Sequence, residues 1–181
     1  MKFHLPTRIV FGAGSVSDIQ DLIKEFKAPE KVYVVTDKGV RQAGITDSVT
    51  SVLPVADIFD EVEPNPRHTT IDRAAGRIRE LKPDVIIGVG GGSVLDAAKA
   101  VALLGTNPGG IEDYEGMYQY KNPPLTMVAV PTTCGTGSEV TWSSVITHTE
   151  RRFKMTIKGP HTYPVLAVLD PDLLATLPAN L

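Results

Sequence analysis

The chain has 181 residues, 42% of them hydrophobic, and a formal net charge of −3. That length can bury a sizeable core in one compact domain, and the mild acidity offers no electrostatic footprint for nucleic acid or an anionic membrane. The single cysteine, Cys134, excludes an internal disulfide framework and suits a reducing compartment; with no membrane-length apolar run and no secretory signal in "MKFHLPTRIVFGAG", a cytoplasmic location is expected.

In chain order, strand-like and helix-like stretches alternate. "RIVF" (Arg8 to Phe11) is a short apolar strand. "SVSDIQDLIKEF" follows with Val16, Ile19, Leu22, Ile23 and Phe26 at helical spacing and Ser15 as an N-cap. "KVYVVTD" (Lys31 to Asp37) reads as a buried strand. A weaker helical stretch from Val40 to Leu53 is interrupted at Gly44, "ADIFDEV" alternates apolar and acidic residues, and "EPNP" (Glu63 to Pro66) breaks the chain. "TTIDRAAGRIREL" is helical up to Pro83. "DVIIGV" is the next strand, leading through glycines into a helix from Ser93 to Leu104. "GTNPGGIEDYEGMYQYKNPP" is the longest loop, rich in Gly and Pro but also in Tyr, which suits packing against something. "LTMVAV" (Leu125 to Val130) and "VLAVLD" (Val165 to Asp170) are further strands, while "SEVTWSSVIT" and "RRFKMTIK" are ambiguous β-like pieces. The alternation, with near-continuous apolar strands, predicts an open, mainly parallel sheet covered by helices on both faces.

The glycines at 90–92 sit where a strand runs straight into a helix N-terminus. Such an end carries unsatisfied N–H groups and partial positive charge, so it favours a phosphate, and glycine lets the backbone come close to it. Ser93 can cap the helix, with Asp96 three residues on as in a capping box. The spacing Gly88-x-Gly90-x-x-Ser93 lacks the third glycine of the strict dinucleotide fingerprint, and a tight capped turn is the alternative. "GAGSVS" (Gly12 to Ser17) has a similar look after a shorter strand; an ordinary helix start is the preferred reading there.

Asp37 ends a buried strand, where a carboxylate can accept from both hydroxyls of an adenosine ribose and repel a 2′-phosphate; the alternative is a helix cap. "PTTCGTGSE" (Pro131 to Glu139) crowds Thr132, Thr133, Thr136 and Ser138 with two glycines just past a strand end, which favours a ligand over a plain polar turn. Cys134 reads as a passive small residue within it. His4, His68, His148 and His161 are scattered through the chain, with no i, i+4 pair, so no metal site is expected within it.

Taken in order, Asp37, "EPNP", "GGGSVLDAAK" and "PTTCGTGSEVT" resemble the iron-containing (group III) alcohol dehydrogenases, and the likeness runs on to "VLDPDLLATLPANL". The resemblance implies that residues 1–181 are a Rossmann-like NAD-binding α/β domain. The family's helical C-terminal domain, with an aspartate and three histidines holding iron or zinc, would lie past Leu181 and is expected only in the full-length enzyme. Carried over by residue, Asp37 is similar to the adenosine-ribose ligand. Gly90, Gly91, Gly92 and Ser93 resemble the pyrophosphate cradle. Thr132, Thr133 and Thr136 resemble the lining of the phosphates and nicotinamide ribose. Asn65 is similar to a residue near the adenine side, and Lys154 to a lysine that reaches the cofactor's ribose. Asp96 and Lys99 are expected to position the helix. The implied function is hydride transfer between an alcohol or aldehyde and NAD, preferred over NADP, with a homodimer as a candidate assembly. The alternatives are a non-catalytic nucleotide-binding module and a relative acting on glycerol or sugar phosphates.

Overall fold

Six of the apolar runs lie side by side as one all-parallel sheet. The computed structural model describes residues 4–175 and 177. The strands are β1 (Arg8–Phe11), β2 (Val32–Val35), β3 (Val55–Phe59), β4 (Val85–Gly90), β6 (Thr126–Pro131) and β9 (Leu166–Leu169), in the order β1-β9-β6-β4-β2-β3. The ambiguous pieces form a second, three-stranded sheet, in which β7 (Ser143–His148) and β8 (Phe153–Lys158) are an antiparallel hairpin. A two-residue strand, β5 (Gly116–Met117) from the long loop, pairs parallel to β8.

Alternation along the main strands sends side chains into two cores, one on each face. Tyr33, Val35, Ile86, Met127 and Ala129 pack under α4 (His68–Leu81) and α5 (Gly92–Leu104). Val32, Val34, Ile87, Val128 and Val130 face Ile19 and Ile23 of α1 (Ile19–Lys24) and Val49 of α3 (Ile45–Thr50). The predicted break at Gly44 is real: it separates α2 (Lys38–Gln42) from α3 and takes φ 76°, a left-handed conformation that suits glycine.

Helix α5 is apolar all round because it is covered all round. Every residue from Val94 to Leu104 except Asp96 is buried, with the main sheet on one side and the β7–β8 hairpin and α4 on others. The long loop is tied down by Asn107, which is buried. Its amide donates to the carbonyls of Leu103 (3.0 Å) and Asn122 (2.9 Å), and its Oδ1 accepts from the backbone of Asn122 (3.0 Å). Tyr114 is buried in the α4–α5 core and Tyr120 packs against it, so two of the loop's three tyrosines pack as expected, while Tyr118 is exposed.

Two capping expectations are corrected. Ser15 caps nothing: Gly14 precedes a short 3₁₀ turn, Ser15–Asp18, and α1 begins only at Ile19. Helix α5 begins at Gly92, so Gly91 is its N-cap and no side chain caps it. Ser93 already lies inside the helix, two positions past the cap.

The sheet order fixes the site. The chain steps from β2 outward to β3, then crosses back to place β4 on β2's other flank. This reversal is a topological switch point, where ligands of open α/β sheets sit beyond the strands' carboxyl ends. The ends of β2, β4 and β6 there deliver Asp37, Gly91–Ser93 and Thr132–Thr136.

Candidate functional site

The glycines of "GVGGG" divide into two kinds of contact. A Cβ on Gly88 would lie 2.9 Å from Ala98 Cβ, and one on Gly90 would lie 2.6 Å from Val94 Cγ2. These two residues let α5 lie directly on β4. A Cβ on Gly92 would meet Thr136 Cγ2 at 2.7 Å, and one on Gly91 would meet Thr133 Oγ1 at 3.2 Å. Those two let the loop after β6 close over the start of α5. Gly90 was expected in the cradle, but it is buried in β4 and lines neither cleft described next; its carbonyl accepts from Thr132 N at 3.1 Å.

Two adjoining clefts open at this point. The first, about 970 Å³, is lined by Asp37, Gly91, Gly92, Ser93, Thr132 and Thr133, among others. The second, about 550 Å³, shares Gly92 and Ser93 and adds Asn65, Thr136, Trp142 and Lys154. The uncapped α5 N-terminus therefore faces both. Asp37 caps α2, its Oδ1 accepting from Val40 N at 2.9 Å, and the same residue lines the first cleft. Glu63 of "EPNP" serves α4 in a similar way, accepting from Arg67 N (3.1 Å) and Thr70 Oγ1 (2.9 Å).

Asn65, expected near the adenine side of the cofactor, does not line the first cleft with Asp37. It lines the second cleft, in a left-handed conformation at φ 57°. Its N–H donates to Ser93 Oγ (3.2 Å), its carbonyl accepts from Thr147 Oγ1 (3.1 Å), and its Oδ1 accepts from Lys154 Nζ at 2.7 Å. These bonds draw the "EPNP" turn across the mouth of α5 and pair Asn65 with Lys154.

Asp96 and Lys99 lock the helix to the hairpin. Asp96 accepts from Ser138 Oγ (2.6 Å) and Val145 N (3.0 Å). Lys99 is 1% exposed, yet its ammonium donates to Ser138 Oγ and the Ser143 carbonyl, both at 2.8 Å, with Asp96 at 3.5 Å. Burial pushes this lysine down to about 8, against the pull of Asp96. Ser138 is thus held from both sides, which fixes the far end of the loop carrying Thr132–Thr136. Cys134 in that loop is exposed.

The histidines are not all scattered. His68 and His148 are buried with ring centroids 4.5 Å apart, and Glu112 Oε2 lies 2.9 Å from His148 Nε2. The three residues come from α4, a 3₁₀ turn and β7, so no local spacing could have announced them.

These features define a Rossmann-like α/β domain with its cleft at the switch point of a parallel sheet. The family model for iron-containing alcohol dehydrogenase matches residues 6–171, and the chain belongs to that family. It is 37% identical over 183 positions to alcohol dehydrogenase 4 of Saccharomyces cerevisiae, covering 99% of this chain and 48% of that protein. To the NAD-dependent methanol dehydrogenase of Bacillus methanolicus it is 33% identical over 184 positions, with 99% and 48% covered. Among solved structures, a 1,3-propanediol oxidoreductase superposes with a TM-score of 0.92 at 34% identity, covering 99% of this chain and 48% of that one. The sulfoacetaldehyde reductase of Bifidobacterium kashiwanohense, in complex with NAD+, gives 0.88 at 31% identity, with 98% and 48% covered. The chain spans about half the length of the relatives it matches. Among the described residues no helix is long and apolar enough to cross a membrane.

Proposed function

We propose that this chain is the NAD-binding domain of an alcohol dehydrogenase that passes hydride between a small alcohol or aldehyde and the cofactor. The observation that carries the reading is the uncapped α5 N-terminus, opening at the switch point onto a cleft flanked by Asp37. Bound NAD supplies the hydride chemistry; the protein supplies position and charge. The N–H groups at 92–94 and the helix dipole receive the pyrophosphate. The Asp37 carboxylate, with Oδ1 held by Val40 N, offers its other oxygen to the adenosine ribose and repels a 2′-phosphate, hence NAD over NADP. Lys154 and Asn65, paired at 2.7 Å, serve the second ribose, and Thr132, Thr133 and Thr136 wall the path between. The family's set of one aspartate and three histidines is not assembled among the described residues, so no step is assigned here to the iron or zinc of the full-length enzyme.

The chain by itself then binds NAD without steady turnover. We also place the enzyme in the cytoplasm, on its single cysteine, with a homodimer as the expected assembly. Calorimetric titration of the 181-residue chain with NAD and NADP tests the reading: NAD binds one to one and tighter than NADP. A folded chain with no affinity for NAD overturns it, and turnover of NAD with propanol overturns the cofactor-only role.

A further inference from the structure

We propose that His68, Glu112 and His148 form a binding site for a divalent transition ion of the zinc class, outside both clefts. His68 is the first residue of α4, Glu112 sits in the 3₁₀ turn Ile111–Tyr114, and His148 is the last residue of β7. One donor atom from each lies within 4.8 Å of the others, and none of the three lines either cleft. Two imidazoles and a carboxylate are a donor set suited to zinc. Bonds of about 2.0–2.2 Å in a tetrahedral shell set donors roughly 3.3–3.5 Å apart. Here His148 Nε2 and Glu112 Oε2 are 2.9 Å apart and all three donors lie within 4.8 Å of one another, so small side-chain movements reach that spacing.

Two buried histidines and one half-exposed carboxylate suit capture. The histidines are 6% and 4% exposed, while the Glu112 side chain is 49% exposed and can swing in with an ion from solvent. The rings are oriented by the turn after β7: His68 Nδ1 accepts from Thr149 N and His148 Nδ1 from Arg151 N, both at 3.3 Å. An accepting Nδ1 keeps the ion-free ring in its Nε2–H form. Coordination through Nε2 must move that proton to Nδ1 and displace these two long contacts. This cost weakens binding, and it ties ion uptake to a local rearrangement at residues 149 and 151.

The charge for the ion comes from Glu112 itself: Asp72, one turn along α4 from His68, is tied to Ile111 N at 2.8 Å, and burial pushes its carboxyl up, toward the neutral form. Of the nearby cations, Arg151 is committed to Glu115 at 2.6 Å and to the Phe153 ring, and Arg79 to the carbonyl of Gly109 at 2.7 Å. A bound ion would pin α4, the 111–114 turn and the β7–β8 hairpin to one point.

The test is calorimetric titration of the metal-depleted 181-residue chain with zinc chloride, alongside thermal unfolding and amide NMR. The parent binds one equivalent, its Tm rises, and the Thr149 and Arg151 amides shift. Ligand loss in His68→Gln or His148→Gln weakens binding by about 100-fold and Glu112→Gln by about tenfold, while His161→Gln leaves it unchanged. Glu112 is half exposed, so its variant stays interpretable if the buried histidine variants fail to fold. A parent that takes up no stoichiometric zinc overturns the proposal. So does a folded Glu112→Gln chain with parental affinity, or binding that leaves both amides unmoved.

Discussion

Two strand-to-helix turns in this chain read almost alike, "GAGSVS" after β1 and "GGGSV" after β4, yet the fold uses them in opposite ways. In the first, the buried carboxylate of Asp170, just past β9, fills the turn. Its Oδ1 accepts from Gly14 N at 3.0 Å and its Oδ2 from Val16 N at 3.1 Å. A site already holding its own anion has no room for a phosphate. In the second, no side chain caps the helix, and the turn opens on the large cleft. A glycine-rich turn therefore indicates a phosphate site only when its N–H groups are left unclaimed, and the residue that claims them can lie 154 positions away.

The largest effect should come from emptying the occupied turn. Asp170→Ala orphans three N–H donors, those of Gly14, Val16 and Asp172, and should destabilise the fold by about 3–5 kcal/mol in chemical denaturation. NAD affinity of the remaining folded protein should hold.

Crowding the open turn should do the reverse. In Gly91→Val the side chain is driven against Thr133, already 3.2 Å from a bare Cβ. NAD affinity by calorimetry should fall at least about 100-fold, a loss of roughly 2.7 kcal/mol. A variant with parental circular dichroism and parental affinity would reduce the open turn to packing alone.

Asp37→Ser sharpens the comparison at the other end of the cleft, because serine keeps the α2 cap while removing the charge. Like charges about 4 Å apart cost on the order of 4 kcal/mol at an effective dielectric near 20, and solvent takes most of that. NADP binding should tighten about tenfold, a gain of roughly 1.4 kcal/mol.

Lys99 adds a pH test of the clamp behind the open turn. Its pKa is lowered on folding, from an ordinary 10.5 to about 8. Between those values the unfolded chain binds more protons than the folded one, so this group's contribution to stability rises with pH across that window and is flat below it. The difference in unfolding free energy between parent and Lys99→Met should follow that curve; a flat difference would mean the ammonium is fully compensated by Ser138, Ser143 and Asp96.

The smallest effects belong to the paired controls. Ser93→Ala loses the acceptor for Asn65 N, not a helix cap, and should cost about 0.5–1.5 kcal/mol. Gly14→Ala, at φ 74°, should cost about 1 kcal/mol by thermal unfolding and leave NAD affinity unchanged.

The sequence by itself determined the alternation of strands and helices, the two-faced parallel sheet and the break at Gly44, because hydrophobic period and glycine punctuation are local properties. It also marked Asp37 and the 131–139 loop as strand-end residues, since the ends of buried apolar runs are visible in one dimension. The ambiguous segments "SEVTWSSVIT" and "RRFKMTIK" supplied strands only by pairing antiparallel with each other, with β5 added parallel to the second, and neither segment encodes that register alone. Tertiary structure likewise decided which glycine turn is filled, by bringing Asp170 to Gly14. It seated Asn65 beside Lys154 rather than Asp37, through bonds from Ser93, Thr147 and Lys154. It also gathered His68, Glu112 and His148 from three elements. Each of these outcomes depends on contacts between residues far apart in the chain, and a one-dimensional pattern carries no distance between them until the sheet order has set it.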